Sequence, residues 1–321
     1  MTTDVLVLLE HADDGALRPS VPELLTLGRT IGTVGAVWVA AADPGADVLA
    51  ELAAHGVQEL HVVTPDAHPR LTPVIAEALA ALVEPSTRAV LLGSSFENKE
   101  VAARLGVLTG AGVMVDVAAL SVDGERLVAE KQVFAATWTT RCTVRTPLAV
   151  LAVKPHAVQA ETTGPSEPQV VRHEVSVSAV AAAVEVVERT ERAPSERPDL
   201  GAAQVVVVGG RGTDGDFSAL DELADVLGGA VGATRVATDE GWIDRDAQIG
   251  QTGVTVAPRL YIGAGVSGAV HHRGGMQASG TIVAINTDAD APIFEIADLG
   301  IVGDLRQVLP QATAELRRLR G

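Results

Sequence analysis

The sequence predicts two α/β domains with mainly parallel sheets, the C-terminal one doubly wound and Rossmann-like. Short β-branched runs alternate with Ala- and Leu-rich stretches in both halves of the chain, as in parallel sheets covered by helices. Apolar residues make up 47% of the chain but aromatic residues only 2%, so the core consists of aliphatic side chains that suit sheets buried on both faces. The 321 residues accommodate two domains of about 100 to 200 residues each.

Six stretches of the first half have the composition of strands. The last of them alternates polar and apolar residues, which predicts a strand with one face in water. The six are DVLVLLE from Asp4, GAVWVA from Gly35, ELHVVT from Glu59, AVLLGS from Ala89, LAVLAV from Leu148 and VVRHEVSVSAV from Val170.

Two helices between these strands carry terminal signals. In SVPELLTLGRTIG, Ser20 is a candidate N-cap with Glu23 three residues later, and Gly32 stands near the end. In TPVIAEALAALVE, Thr72 is the candidate cap and Pro73 lies in the first turn, where its missing N–H costs nothing.

The predicted domain boundary lies in a polar segment. Pro-, Ser- and Glu-rich stretches begin at Glu161 and Arg189, and either composition suits a linker. Because the strand from Val170 lies between them, we assign that strand to the first domain and divide the chain into residues 1–195 and 196–321.

The second half repeats the α/β alternation. We expect Asp216 to cap the helix FSALDELADVLGG and Gly228 to end it. A helical, Arg-rich tail follows Asp304, and we expect Pro310 to break or kink it. The candidate strands are QVVVVGG from Gln204, RLYIGAG from Arg259 and TIVAIN from Thr281.

Charge and cysteine content exclude several functional classes. A net charge of −17 argues against nucleic acid and anionic membranes as partners, because binding phosphate requires clustered Lys and Arg. The single Cys142 excludes an intramolecular disulfide and any multi-cysteine zinc or iron–sulfur site supplied by this chain alone. The N-terminus lacks the pattern of a signal peptide, and no apolar run reaches about 18 residues. We therefore expect a cytoplasmic protein.

The segment Gly210–Gly215 matches G-x-G-x-x-G between a strand and a helix. Backbone N–H groups in this position can hold a pyrophosphate. A dinucleotide site also requires an acidic residue about 20 positions later, at the tip of the next strand. The nearest candidates, Asp225 and Asp239, are not placed there, so a turn that serves only tight packing is an equal alternative.

A second glycine cluster, LYIGAGVSGAVHHRGG, also follows a strand. Its small residues allow close approach to the backbone, while Ser267, His271, His272 and Arg273 offer donors suited to an anionic or carbonyl-rich ligand. Two adjacent histidines do not make a zinc site, so we predict no metal. The turn DAQIGQTG between the two clusters presents hydrogen-bonding groups in the same way, or is an ordinary surface loop.

The strings GGRG, GATR, DAQIGQTG, LYIGAGVSGAVHH and IVAINTDADAPIFEIADLGIVGDL occur together and in this order. In this respect the segment from Gly201 to Pro310 resembles the α subunits of electron transfer flavoproteins, while the N-terminal half is similar mainly in length and strand order. The resemblance implies that the second domain holds one FAD, that the first domain pairs with a separate β subunit, and that this partner carries AMP in many members.

The resemblance also implies a set of FAD-contacting residues. Arg235 would stabilise the negative charge of reduced flavin, His272 would donate to the flavin carbonyl region, and Thr252 would hydrogen-bond near N5. Asp304 is alternatively a plain helix cap. The complete set is Arg211, Thr234, Arg235, Ile249, Gly250, Gln251, Thr252, Ser267, Gly268, Ala269, Val270, His271, His272, Asn286, Asp304 and Leu305.

The function implied by the resemblance is that of an electron carrier without a substrate pocket of its own. It would accept electrons from dehydrogenases such as acyl-CoA dehydrogenases and pass them to a membrane quinone oxidoreductase. Two alternatives remain open from the residues: an NAD(P)-dependent oxidoreductase built on the GRGTDG loop, and a nucleotide-binding regulatory module.

Overall fold

The computed structural model describes residues 3–12, 14–134, 137–155, 157–164, 166–188 and 197–320. The chain divides into two compact units. The N-terminal unit comprises Met1–Lys131 with Thr139–Glu191, and the C-terminal unit comprises Gln132–Trp138 with Arg192–Gly321. The predicted boundary at residues 195/196 and most of the predicted linker lie outside the described residues, so that boundary stays an expectation.

The N-terminal unit is built on one nine-stranded sheet in the order β7-β6-β5-β8-β4-β1-β2-β3-β9. Its strands are β1 (Val5–Leu8), β2 (Val34–Val39), β3 (Glu59–Pro65), β4 (Ala89–Gly93), β5 (Gly112–Asp123), β6 (Arg126–Val133), β7 (Trp138–Cys142), β8 (Ala149–Val153) and β9 (Gln169–Val175). Its helices are α1 (Ser20–Ile31), α2 (Ala46–Ala54), α3 (Thr72–Leu82), α4 (Phe96–Thr109) and α5 (Ala179–Ala182).

The parallel centre of this sheet is buried on both faces. In β1, Val5 and Val7 pack into one apolar cluster and Leu6 and Leu8 into the other, and all four side chains are almost fully buried. The six strands predicted from β-branched runs correspond to β1, β2, β3, β4, β8 and β9. The fold class predicted from sequence is confirmed.

The sequence did not predict β5, β6 and β7, which extend one edge of the sheet. β5 and β6 pair antiparallel, and the register of β5 shifts between Met114 and Val117 and again between Val117 and Ala119. At this irregularity Asp116 has a φ of 57°. Because a bulge interrupts the two-residue alternation of side chains, the segment lacks the periodicity that identifies a strand.

Two predicted helix caps are wrong. The cap position of α1 is Pro19, and Ser20 is already helical; the cap position of α3 is Leu71, and Thr72 is its first helical residue. Neither helix has a side-chain hydrogen bond at its cap. The prediction that Pro73 lies in the first turn of α3 is confirmed.

The three lysines of the chain lie close enough in this unit for the charges of two of them to act on the third, Lys154. Lys99 in α4 forms an ion pair with Asp116 at 2.7 Å. Lys131 lies opposite Val117 in the β5–β6 pair, and the backbone N–H of Lys154 donates to Val117 O at 2.8 Å. Burial lowers the pKa of Lys154, and the charges of Lys99 and Lys131 lower it further, against the effect of Asp116.

The C-terminal unit contains a five-stranded, wholly parallel sheet in the order β11-β10-β12-β13-β14. Numbered from its own first strand, this order is 2-1-3-4-5, a doubly wound arrangement. The strands are β10 (Val205–Gly209), β11 (Ala230–Ala233), β12 (Leu260–Ala264), β13 (Thr281–Asn286) and β14 (Leu299–Val302). The helices are α6 (Ser218–Leu227), α7 (Arg235–Asp239), α8 (Val270–Arg273) and α9 (Leu305–Arg320).

The three predicted strands of this unit correspond to β10, β12 and β13, whereas β11 and β14 were not predicted. Each of the two contains a glycine, and β14 is largely exposed, so neither shows the continuous apolar run of a buried strand. α9 runs as one helix through Pro310, so the predicted break does not occur. Gly228 ends α6 with a φ of 66°, as predicted. Within the described residues, no helix is long and apolar enough to cross a membrane.

Candidate functional site

Most of the predicted site residues follow the carboxyl ends of the five parallel strands in the C-terminal unit. Parallel strands place these ends along one edge of the sheet, where open α/β sheets bind ligands. Arg211 follows β10, Thr234 follows β11, Ser267 follows β12, Asn286 ends β13 and Asp304 follows β14. This edge is therefore the candidate site.

The glycines of the Gly210–Gly215 loop are used for contact between two loops. The backbone N–H groups of Gly210 and Gly212 donate to Ala264 O and Gly265 O at 3.2 and 3.1 Å. A Cβ on Gly210 would overlap the carbonyl oxygen of Gly265, and a Cβ on Gly212 would lie 2.7 Å from the Cα of Gly265. The tight-packing alternative therefore accounts for this motif.

An acidic side chain accepts hydrogen bonds at the N-terminus of α6. The Asp216 carboxylate accepts hydrogen bonds from the backbone N–H and the hydroxyl of Ser218, at 3.0 and 2.6 Å. Phe217 occupies the cap position, so the prediction of Asp216 as the cap residue was one position early. A pyrophosphate at this helix start would meet a carboxylate, which disfavours the NAD(P)-binding alternative.

The structure brings the GQTG turn and α8 together. The backbone N–H of Gln251 donates to His271 O at 3.0 Å, and Nδ1 of His272 lies 3.1 Å from Ile249 O. Gly250, with a φ of 148°, allows this close approach, because a Cβ there would lie 3.1 Å from His271 O. The predicted run Ile249–Thr252 and the predicted loop Ser267–His272 thus form one wall.

His272 differs from the expectation of a free donor. Its ring is buried, with 7% of the residue exposed, and Nε2 lies 2.7 Å from the hydroxyl of fully buried Tyr261. Burial lowers the pKa of His272 to about 4 and raises that of Tyr261. The neutral ring therefore donates from Nδ1 to Ile249 O and accepts at Nε2 from Tyr261. Both ring nitrogens are occupied, so in this structure the exposed His271 is the histidine available to a ligand.

Gln248 belongs to the site although the sequence prediction began at Ile249. Only 6% of it is exposed, and its side-chain Nε2 donates to the carbonyl oxygen and the hydroxyl of Thr252 at 3.1 and 3.0 Å. Its Oε1 lies 2.9 Å from the hydroxyl of Thr238 in α7. A buried amide needs hydrogen-bond partners, but the sequence alone does not show that Gln248 is buried.

The end of β11 supplies an unsatisfied hydroxyl and an exposed cation. Thr234 Oγ1 is buried and has no hydrogen-bond partner among the described residues. Arg235 begins α7 with 69% of its side chain exposed, and its Nε donates to Asp239 at 3.0 Å. Arg245 approaches the same carboxylate at 3.5 Å.

The residues expected at the adenosine end are largely engaged in the fold. Asn286 donates from Nδ2 to Val266 O at 2.9 Å and accepts from the N–H of Asp288 at 3.0 Å. Asp304 accepts from the N–H of Arg306 at 2.9 Å, as an N-cap of α9 does. Leu305 is 7% exposed and packs in the core, so only its backbone is available to a ligand.

The remaining predicted residues form the exposed rim. Arg211, Ser267, Ala269 and Val270 are exposed. Gly268 has a φ of 79° and packs on Ile293, where a Cβ would lie 2.5 Å from the backbone nitrogen. The rim therefore combines small residues with few bulky side chains.

The donors at this edge fit a flavin nucleotide. Thr234 offers an unsatisfied hydroxyl, Arg235 a guanidinium, and Thr252 and His271 exposed polar side chains, which together match a ligand rich in carbonyl and phosphate oxygens. Among the described residues, no group of three or more His, Cys, Asp or Glu side chains is arranged to hold a metal ion.

Comparisons with known proteins cover almost the whole chain. The family model "Electron transfer flavoprotein domain" matches residues 5–191, and "Electron transfer flavoprotein FAD-binding domain" matches residues 199–277. The chain is 42% identical to the electron transfer flavoprotein subunit alpha of Mycobacterium leprae over 99% of both chains. It is 34% identical to the protein of that name from Bacillus subtilis over 98% of both. The mitochondrial subunit of Arabidopsis thaliana is 54% identical, over 38% of this chain and 34% of its own length.

Proposed function

Because this chain belongs to the family of electron transfer flavoprotein α subunits, we propose that it carries electrons on one FAD bound in its C-terminal unit. It accepts them from flavin-dependent dehydrogenases, among them acyl-CoA dehydrogenases, and delivers them to a membrane quinone oxidoreductase. The flavin supplies the redox chemistry. The protein binds the cofactor, adjusts its potential and presents it to partners.

One observation carries this proposal. The end of β11, the GQTG turn and α8 meet at one edge of the sheet, joined by hydrogen bonds from Ile249 N to Ala233 O at 2.9 Å and from Gln251 N to His271 O at 3.0 Å. The unsatisfied hydroxyl of Thr234 belongs to the residue that directly follows β11. This arrangement supports a ligand held by the segments that the FAD-binding family model covers.

The roles of individual residues follow from charge and hydrogen bonding. Arg235 places a cation where reduced flavin is negative, which favours the reduced form. Thr252 holds the region of flavin N5 through its hydroxyl. His271 replaces His272 as the side chain directed to the ligand, and His272 supports the turn from beneath. Asn286 and Asp304 shape the adenosine end through the backbone turns that they hold.

The α subunit works with a β subunit in this proposal. The name shared by the relatives implies such a partner. We propose a heterodimer in which the N-terminal unit contacts the β subunit and the partner carries AMP. The cytoplasmic location stays a prediction.

The test is to co-express the chain with its β subunit, purify the complex and record its visible absorption during stepwise reduction. The proposal expects a yellow complex with one FAD per α subunit that accepts electrons from an acyl-CoA dehydrogenase and its substrate. A colourless complex that binds NAD instead would support the GRGTDG dehydrogenase. A complex with FAD that no dehydrogenase reduces would remove the carrier role while leaving flavin binding intact.

A further inference from the structure

The GQTG turn is held by a chain of side-chain hydrogen bonds from α7. The hydroxyl of Thr238 lies 2.9 Å from Gln248 Oε1, and Gln248 Nε2 lies 3.1 Å from the carbonyl oxygen and 3.0 Å from the hydroxyl of Thr252. Thr238 and Gln248 are 7% and 6% exposed, whereas Thr252 is exposed. The chain therefore leads from the interior of the unit to its ligand-facing edge.

The chemistry of these groups fixes the direction of every bond. A backbone carbonyl oxygen only accepts, so the amide atom that faces Thr252 O must be the Nε2 of Gln248. Its Oε1 then faces Thr238, whose hydroxyl must supply the proton. The same hydroxyl also lies 3.0 Å from Arg235 O, and it shares its single proton between the two acceptors.

The backbone of Gln248 is held in place by hydrogen bonds of its own. Its N–H donates to Arg245 O at 3.0 Å, and its carbonyl accepts from the N–H of Val254 at 2.7 Å. Gln248 also pairs with Ala233 at the end of β11 in an isolated parallel bridge. Because the backbone is fixed, the side chain is buried and both of its amide atoms are hydrogen-bonded, Gln248 has little rotational freedom to lose when it orients a neighbour.

A hydroxyl carries one proton, and the oxygen of Thr252 already accepts from Gln248. Its proton must therefore point away from Gln248. We propose that Gln248 is a positioning residue that fixes the Thr252 hydroxyl as a hydrogen-bond donor directed out of the turn. This inference rests on the proposed function for the identity of the acceptor, which is the unprotonated N5 of oxidised flavin.

A fixed donor discriminates between redox states. The Thr252 hydroxyl stabilises N5 while that nitrogen accepts a hydrogen bond, as it does in oxidised flavin. Fixed as a donor, the hydroxyl cannot accept a hydrogen bond from N5 once N5 carries a proton. Replacing Gln248 by Leu frees the Thr252 hydroxyl to rotate, so it can serve both forms. The relative affinity for reduced over oxidised FAD should rise about tenfold, which equals about 30 mV in a two-electron potential.

The decisive experiment is a double-mutant cycle on the flavin potential of the heterodimeric complex. We expect Gln248→Leu and Thr252→Val each to raise the potential, and the double variant to match Thr252→Val alone, because Gln248 acts through that hydroxyl. Gln248→Glu, which places acceptors against Thr252 O, should not restore the wild-type value. If Gln248→Leu shifts the flavin potential equally in the unmodified chain and in the Thr252→Val variant, the proposal is wrong.

A structural role must be separated from a positioning role. Leu309→Ala, a change at a fully buried position in α9, serves as the control that lowers stability without touching the turn. It should leave the potential unchanged. If Gln248→Leu resembles this control, with reduced stability and an unchanged potential, Gln248 only supports the fold.

A measurement without FAD separates this inference from the carrier proposal. In the full chain free of cofactor, the side-chain amide protons of Gln248 should show slowed solvent exchange by NMR, and Thr252→Val should shift their resonances. If the amide protons of Gln248 exchange freely with solvent and Thr252→Val does not shift their resonances, the inference fails even though FAD binds. If those resonances behave as expected and the complex lacks FAD, the carrier proposal fails and the hydrogen-bond chain stands.

Discussion

Arg235 stands exposed at the start of α7, and its Nε already donates to Asp239. We predict that Arg235→Gln lowers the potential of bound FAD, because a cation beside reduced flavin stabilises its negative charge. The stabilisation of reduced FAD that is lost should be about 0.2 to 1 kcal/mol, or about 5 to 20 mV for two electrons, because solvent screens an exposed charge. Spectroelectrochemical titration of the complex measures it.

The matched control for this change is Arg245→Gln. Arg245 pairs with the same Asp239 carboxylate at 3.5 Å and is 82% exposed, but it precedes the GQTG turn in a short 3-10 helix. It should shift the potential by less than half as much. Equal shifts from both variants would mean that only the general charge of this surface matters.

The buried His272 makes stability depend on pH. Its pKa is about 4 in the folded chain and about 6.5 when unfolded, so the unfolded state binds more protons between these values. Stability that is present above pH 6.5 is therefore lost as the pH falls toward 4, by about 3 kcal/mol. We predict that His272→Gln removes this part of the pH dependence in urea unfolding of the cofactor-free chain.

His271→Gln provides the comparison, because His271 is the exposed neighbour. The stability of the His271→Gln variant should change with pH as that of the unmodified chain does. If His271→Gln and His272→Gln flatten the profile equally, buried imidazole is not the cause.

The sequence did not predict the hydrogen-bond partners of single residues in the site. The glycines and donors of the two loops were visible as clusters in the sequence. Which histidine is free, however, depends on Tyr261, because its hydroxyl forms a hydrogen bond with Nε2 of His272. Gln248 was missed because its burial and its contact with Thr238 in α7 exist only in the folded chain. Hydrogen-bond partners across loops are set by tertiary structure and leave no local pattern.

At the scale of elements, the contact between the loops after β10 and β12 depends on the absence of side chains. We predict that Gly210→Ala destabilises the C-terminal unit by about 1 to 3 kcal/mol, because its Cβ would overlap the carbonyl oxygen of Gly265 and backbone cannot move aside cheaply. Chemical unfolding monitored by circular dichroism measures the effect.

Gly45→Ala is the control for this substitution. Gly45 has a φ of −67° at the start of α2, and a Cβ there would have no atom within 4 Å. It should change stability by less than about 1 kcal/mol. A similar loss from both substitutions would mean that the contact between the two loops is not the cause.

Elements were predictable from sequence where burial is uniform. Strands such as β1, β4 and β10 are β-branched or leucine-rich runs buried on both faces, and each was found. β5 and β6 were missed because a bulge breaks their alternation and their faces are only partly buried. The caps of α1 and α3 were misplaced by one residue, because the cap positions are held by Pro19 and Leu71, which carry no polar side chain to mark them in the sequence.

At the scale of the whole molecule, the two units should respond differently to cofactor. A ligand that binds only the folded form stabilises it by about 2.7 kcal/mol at 100 times its dissociation constant. We predict that FAD raises the unfolding temperature of the C-terminal unit and leaves the N-terminal unit unchanged. Hydrogen exchange of the full chain with and without FAD, read separately for β1–β4 and β10–β13, measures this difference.

Equal protection of both sets of strands by FAD would contradict this prediction and show that the units unfold together. A variant with Thr234→Val, which removes the unsatisfied hydroxyl at the end of β11, should reduce the protection of β10–β13 at a given FAD concentration. The N-terminal strands of the same variant provide the internal reference.

The proximity of Lys99 and Lys131 to Lys154 has a practical consequence for labelling. The sequence has no other lysine, so every acylation, fluorophore or cross-link that an amine-directed reagent introduces on a side chain lies in this one region of the N-terminal unit. Lys154, whose lowered pKa leaves more free amine at neutral pH, should react readily wherever its partial burial admits the reagent. Amine chemistry thus gives this chain a single internal attachment region, remote in sequence from the flavin-binding segments.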